Sequence, residues 1–179
     1  MRQLIAIYAS APRSGKSTIA SILDKKHGFK VISFAAPIKY TNAYLLMKLG
    51  YSESKAHRLV HVDKEEVIPE LGVTSRYIQQ KLGTDWGRNM IADDFWVKIA
   101  KVNILKHERC VIDDLRHPNE ALMIRSLGGK IWRVQRDSAL YSGMHKSEGL
   151  LDNMEFDKVI LNNSCLNNLE QVVASLIEN

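Results

Sequence analysis

The residues most able to do chemistry lie near the start of the chain, in the string "ASAPRSGKST" (9–18). Its end, Gly15-Lys16-Ser17-Thr18, has the form that closes a phosphate-binding loop, G-x-x-x-x-G-K-[ST]. In such a loop successive backbone N–H groups turn inward onto an anion, and the helix that follows adds its positive end. Arg13, Ser14, Gly15, Lys16, Ser17 and Thr18 are the candidate contacts to ATP phosphates. Lys16 would reach the β- and γ-phosphates, and the Ser17 hydroxyl would ligate Mg²⁺. Gly15 lets the backbone approach the phosphate closely. The slot of the first glycine holds Ser10, a small residue that the turn tolerates where φ is not positive. Such sites also need an acid at the end of another strand to serve the metal. "CVIDD" (110–114) offers Asp113, with Asp114 as the alternative.

These residues need a scaffold, and the order of elements suggests one. "QLIAIYA" (3–9), "KVISFA" (30–35), "RCVIDD" (109–114), "KIWRVQR" (130–136) and "DKVILNN" (157–163) read as strands. "GKSTIASILDKKHG" (15–28) has Ile19, Ile22 and Leu23 at helical spacing before a glycine stop. "PIKYTNAYLLMKLG" (37–50), "DDFWVKIAKVNILKHE" (93–108), "PNEALMIRSLGG" (118–129) and "CLNNLEQVVASLIEN" (165–179) read as further helices. The stretch 51–75 is polar with weak periodicity, and 75–90 reads as a helix broken at Gly83. Strands alternating with helices predict an α/β fold on a parallel sheet.

The totals narrow the class. A chain of 179 residues with 45% hydrophobic and 25% charged residues fits one globular domain. No apolar run approaches the roughly 18 residues of a membrane span. Cys110 and Cys165 fall in no metal or CxxC spacing and read as reduced thiols of a cytoplasmic protein. The formal charge of +5 reads either as a solubility feature or as the mark of a site that holds several phosphates. No dense basic block or basic-aromatic stripe points to nucleic acid. The chain has no guanine-reading NKxD string and is small for an ATPase motor. A small kinase with a small-molecule acceptor remains.

At this point the chain resembles the bacteriophage deoxynucleoside monophosphate kinases, within the P-loop nucleotide kinases. The resemblance rests on "PRSGKST" (12–18), "SFAAPIK" (33–39), "TSRYIQQKLGTDWGR" (74–88), "DDFWV" (93–97), "VIDDLRHPNEA" (111–121) and "HKSE" (145–148). Ser10 and Ala36 depart from the family pattern. The resemblance implies a five-stranded parallel sheet flanked by helices, with a core of residues 1–36 and 97–179, a substrate-binding insert at about 37–96 and a small lid at about 136–150. It implies the reaction ATP + dNMP → ADP + dNDP with Mg²⁺, small-molecule partners only, a homodimer as the candidate assembly, and the host cytoplasm as the place of a phage-encoded enzyme. The competing readings are a P-loop kinase of another phosphorylated acceptor, of the dephospho-CoA or phosphomevalonate type, and a nucleotide-binding protein without phosphotransfer.

Roles follow from charge and geometry. An acceptor phosphate is already an anion, so positioning and charge neutralisation suffice. Lys16, Arg116 and Asp113 are the expected catalytic residues. Arg116 could reach the transferred or the acceptor phosphate, or form a surface ion pair. Arg76 and Arg88 flank "LGTDWG", and a guanidinium fork suits a phosphate monoester. Trp86 stacks on a base or packs the insert, and Asp85 meets a base edge or shapes a turn. Glu120 complements the following helix's dipole or touches substrate. The resemblance adds Lys39 as a substrate contact. It also places Arg136, His145, Lys146 and Glu148 at the lid, with Arg136 on the ATP phosphates.

Overall fold

The computed structural model describes residues 2–137 and 149–178. The expected lid therefore falls largely outside the described residues, and His145, Lys146 and Glu148 with it. The chain divides into two compact units, Met1–Ser33 with Ala100–Asn179, and Phe34–Ile99.

The first unit is built on five parallel strands, β1 (Gln3–Tyr8), β2 (Lys30–Ile32), β5 (Arg109–Ile112), β6 (Lys130–Gln135) and β7 (Lys158–Leu161), in the order β2-β5-β1-β6-β7. All five strands expected from the sequence are present, and the parallel sheet is the one expected. β1 is buried from Leu4 to Tyr8, which is why it reads as a continuous apolar run rather than an alternating one. Helices α1 (Lys16–His27) and α7 (Leu166–Glu178) cover one face. There Ile5 and Ile7 pack with Ile19, Leu23, Leu169 and Val173. Helix α6 (Pro118–Ser126) packs against β1 and β6.

The topology fixes where chemistry can sit. β1 runs between β5 and β6, with Ala6 level with both Ile112 and Ile131. The loops leaving β1, β5 and β6 therefore open at one edge, outside the carboxyl ends of central strands, where ligands of such sheets bind. β2 ends at Ile32, earlier than the expected 35. Ser33 already turns its hydroxyl to Asp114 (2.5 Å).

The second unit holds α2 (Ala36–Lys48), α3 (Glu53–His61), the two-stranded hairpin of β3 (Val67–Ile68) and β4 (Val73–Thr74), α4 (Ser75–Gln80), a π-helix (Lys81–Ile91) and the start of α5 (Phe95–Ile104). Its core gathers Leu46, Ala56, Leu59, Val60 and Ile68. The stretch 51–75 contains α3, capped by the Ser52 hydroxyl that accepts Lys55 N–H (3.3 Å), and then the hairpin. The chain also does not break at Gly83. It continues from α4 as the π-helix through Gly83 and Gly87. The Trp96 indole donates to Gly83 O (2.7 Å), and a Cβ on Gly87 would lie 2.4 Å from its Nε1. The absent side chain at Gly87 admits the ring.

Candidate phosphate-transfer site

β1 delivers the chain into the loop, and α1 begins at Lys16 with Ile19 N–H donating to Gly15 O (3.0 Å). The opening turn of an α-helix has no intrahelical acceptors for its N–H groups, so its polarity favours an anion at this mouth. Gly15 has φ 108°, a left-handed conformation that an L side chain rarely adopts. A Cβ there would also lie 2.2 Å from Asn162 Nδ2. Ser14 is buried, and its hydroxyl donates to Ala11 O (2.7 Å). Its side chain is thereby turned onto the loop's own backbone. Arg13 has φ 59° and is the one non-glycine with positive φ among the described residues. Ser10 is outside that region, which is the condition under which serine fits its slot. Arg13, Ser17 and Thr18 are exposed.

The two acids after β5 separate. Asp113 Oδ2 accepts from the Ser17 hydroxyl (2.9 Å), and Asp114 Oδ2 from Ser33. Ser17 and Asp113 thus present a hydroxyl and a carboxylate together at the start of α1. These are hard oxygen donors of the kind Mg²⁺ takes when phosphates and water complete its octahedron. The residues fit a magnesium–nucleotide complex.

Lys16 and Arg116 line one cleft, with Tyr8, Ser10, Pro12 and Leu115 as its other walls. Glu120 is buried. Its Oε2 accepts the N–H groups of Arg116 (2.8 Å) and His117 (3.0 Å). In this geometry Glu120 fixes the turn that carries Arg116, in the manner of a reciprocal helix cap. Arg136 is exposed immediately after β6.

The second unit carries the remaining candidates. Asp85, Trp86 and Arg88 lie on the π-helix. Asp85 takes the Lys81 ammonium (2.6 Å). Trp86 meets Phe95 edge-on (5.5 Å between centroids) and is tilted against Trp96 (6.1 Å), yet the residue stays 42% exposed. One side packs and the other is available. The Arg88 side chain is only 10% exposed, and its Nη1 donates to Asp93 O (3.1 Å). Arg76 on α4 is exposed and pairs with Glu65. Lys39 lies in the first half of α2, half-buried. Its charge, after desolvation by burial, helps push the His61 imidazole below its usual range.

Sequence reasoning misses three residues around the loop. Asn162, just past β7, is buried and its Nδ2 donates to Ser14 O (2.9 Å). Asp152 and Arg133 both bond to Ser10. No spacing rule connects them to a loop more than a hundred residues away.

The comparisons with known proteins agree in direction. A sequence model described as deoxynucleotide monophosphate kinase matches residues 63–173. A protein of Acanthamoeba polyphaga mimivirus, provisionally named a deoxynucleotide monophosphate kinase, is 28% identical over 93% of this chain and 92% of its own. The deoxynucleoside-5'-monophosphate kinase of Escherichia phage T5 is 31% identical over 70 residues, 38% of this chain and 28% of that one. A solved dephospho-CoA kinase from Campylobacter jejuni superposes over 98% of this chain and 96% of its own, with TM-score 0.51 and 15% identity. That likeness is one of fold.

Proposed function

Because the chain belongs to the deoxynucleotide monophosphate kinase family, whose members are phosphotransferases, we propose that it moves the γ-phosphoryl of ATP onto a deoxynucleoside monophosphate at the loop of β1. The observation that carries the proposal is the Ser17–Asp113 pair at the mouth of α1, beside Lys16 and Arg116 in one cleft.

An oxygen of the acceptor phosphate attacks the γ-phosphorus. A P–O bond forms to it, the bond to the β,γ-bridging oxygen breaks, and ADP leaves with that electron pair. The attacking oxygen carries no proton to remove, so no general base is required. Lys16 neutralises charge on the β- and γ-oxygens, and the loop amides hold the triphosphate in line. Arg116, its backbone held by Glu120, faces charge that spreads over the transferred group. Ser17, with Asp113 bonded to its hydroxyl, would hold magnesium, which would supply further charge neutralisation at the phosphates. Arg88 and Arg76 are the proposed grips on the acceptor phosphate, Trp86 the stacking surface for its base, and Lys39 and Asp85 contacts around it. Arg136 is the proposed additional contact to the ATP phosphates.

The test is ADP release from ATP and Mg²⁺ with dAMP, dCMP, dGMP, dTMP and 5-hydroxymethyl-dCMP in turn, with ribonucleotides and dephospho-CoA as controls. Release that depends on a deoxynucleotide is expected. Release with dephospho-CoA alone would reject the acceptor class. Lys16→Ala should lower turnover by about 10³-fold or more while leaving the circular dichroism and melting curve unchanged. Near wild-type activity in that variant would reject the loop as the site.

A further inference from the structure

Ser10 fills the slot where the loop motif has glycine, and its hydroxyl is engaged. It donates to Asp152 Oδ1. The same oxygen accepts the Tyr8 hydroxyl (2.9 Å) and Arg133 Nη2 (3.2 Å). Arg133 Nη2 also reaches Ser10 Oγ (3.1 Å), and its Nη1 donates to Asp152 O (3.1 Å). Phe156 completes the cluster, stacked on Tyr8 (5.6 Å) and lying under the Arg133 guanidinium (5.3 Å). The Arg133 and Asp152 side chains are 21% and 34% exposed, so their pairing is better shielded from solvent than a surface ion pair. Burial, then the bond to Asp152, raises the Tyr8 phenol above its usual range and keeps it a proton donor.

The cluster adjoins the cleft that Lys16 and Arg116 line, and Tyr8 and Ser10 belong to both. A glycine in this slot would give the turn freedom. A serine gives it a handle, and here one carboxylate grips that handle together with the strand end before it. We propose that Asp152 is a positioning residue of the phosphate loop. It acts through Ser10 and Arg133 to hold the loop's first turn in the one arrangement in which the loop amides and Lys16 meet a triphosphate. The inference rests on the loop reading given above.

A double-mutant cycle tests it, with Ser10→Gly, Asp152→Ala and the pair made in the full chain. The readouts are equilibrium affinity for ATP with Mg²⁺ and the KM for each substrate. A charged hydrogen-bond partner is lost, so Asp152→Ala should weaken ATP binding by about tenfold. The KM for the monophosphate should stay at the wild-type value. In the Ser10→Gly background the same change should weaken ATP by about threefold or less, because its route to the loop is gone. Asp152→Asn keeps an acceptor oxygen and should fall between wild type and Asp152→Ala. It replaces Asp152→Ala in the cycle if the latter does not melt like the wild type. Equal factors in both backgrounds, an unchanged ATP affinity, or an equal rise in both KM values would each overturn the assignment. Lys16→Ala separates the two readings. If it loses ATP affinity while Asp152 variants do not, only the role of Asp152 falls. If wild-type affinity is indifferent to Lys16, the loop reading falls and Asp152 with it.

Discussion

At the scale of single residues, the loop's shape depends on contacts that do not themselves touch phosphate. Gly15 is the sharpest case. Its φ of 108° would strain any L side chain, at about 1–2 kcal/mol. A Cβ would in addition press on Asn162 Nδ2, overpacking of a kind that costs about 1–3 kcal/mol. Gly15→Ala should therefore lower the melting temperature and weaken ATP binding together. Combined with Asn162→Ala it should regain the overlap part but not the conformational part, and melts of the two single variants and the double variant would show it. Full recovery would mean that the backbone conformation carries no strain. The two acids make a second residue-scale prediction. Asp113 meets the Ser17 hydroxyl and Asp114 meets Ser33, so Asp113→Asn should raise the Mg²⁺ concentration for half-maximal activity by about tenfold. Asp114→Asn should leave it near the wild-type value. A magnesium titration at fixed ATP would reverse the assignment if the two results were exchanged.

At the scale of elements, the π-helix Lys81–Ile91 presents Asp85, Trp86 and Arg88 on a turn wider than an α-helix gives. Its fit to Trp96 depends on Gly87, where any side chain meets the indole. Gly87→Ala should displace the ring, lose the Trp96–Gly83 bond and disturb the adjacent Arg88. The expected result is a red-shifted tryptophan emission and a KM for the monophosphate raised by about tenfold or more. The KM for ATP should move little, and a change confined to ATP would take this element away from the acceptor. The same element shows what a sequence can and cannot disclose. The central strands β1, β5 and β6 were legible because strands buried on both faces are continuous apolar runs. The loop was legible because Gly15, Lys16 and Ser17 are consecutive in the chain. A π-helix has no familiar hydrophobic period, and Gly83 resembles a stop until the chain is seen to continue through it. α3 escaped because its inward residues are the brief set Ala56, Leu59 and Val60 in a charged segment. The supports of the loop escaped for another reason: Asn162 and Ser14 are 148 positions apart, and only the folded sheet brings β7's end beside β1's.

At the scale of the whole molecule, the two thiols allow nucleotide binding to be read as stability of the unit that holds the loop. Cys165 is exposed, whereas Cys110 is fully buried in β5 beside β1. Desolvation by burial raises the Cys110 thiol above its usual range, so in the folded protein it is both inaccessible and poorly ionised. A thiol reagent should label Cys165 at once and Cys110 only when the parallel sheet opens, since core strands exchange at the cost of near-global unfolding. A ligand bound to the folded state suppresses that opening in proportion to its saturation. At about 100 times its Kd it contributes about 2.7 kcal/mol, or about a hundredfold in the population of the open form. ATP with Mg²⁺ should therefore slow Cys110 labelling by about that factor and leave Cys165 unchanged. Lys16→Ala should remove most of the protection at the same ATP concentration. If ATP supports turnover in the wild type but leaves the Cys110 rate where it was, the nucleotide is not held by the unit built on β1 and α1, and the site must be sought elsewhere in the chain.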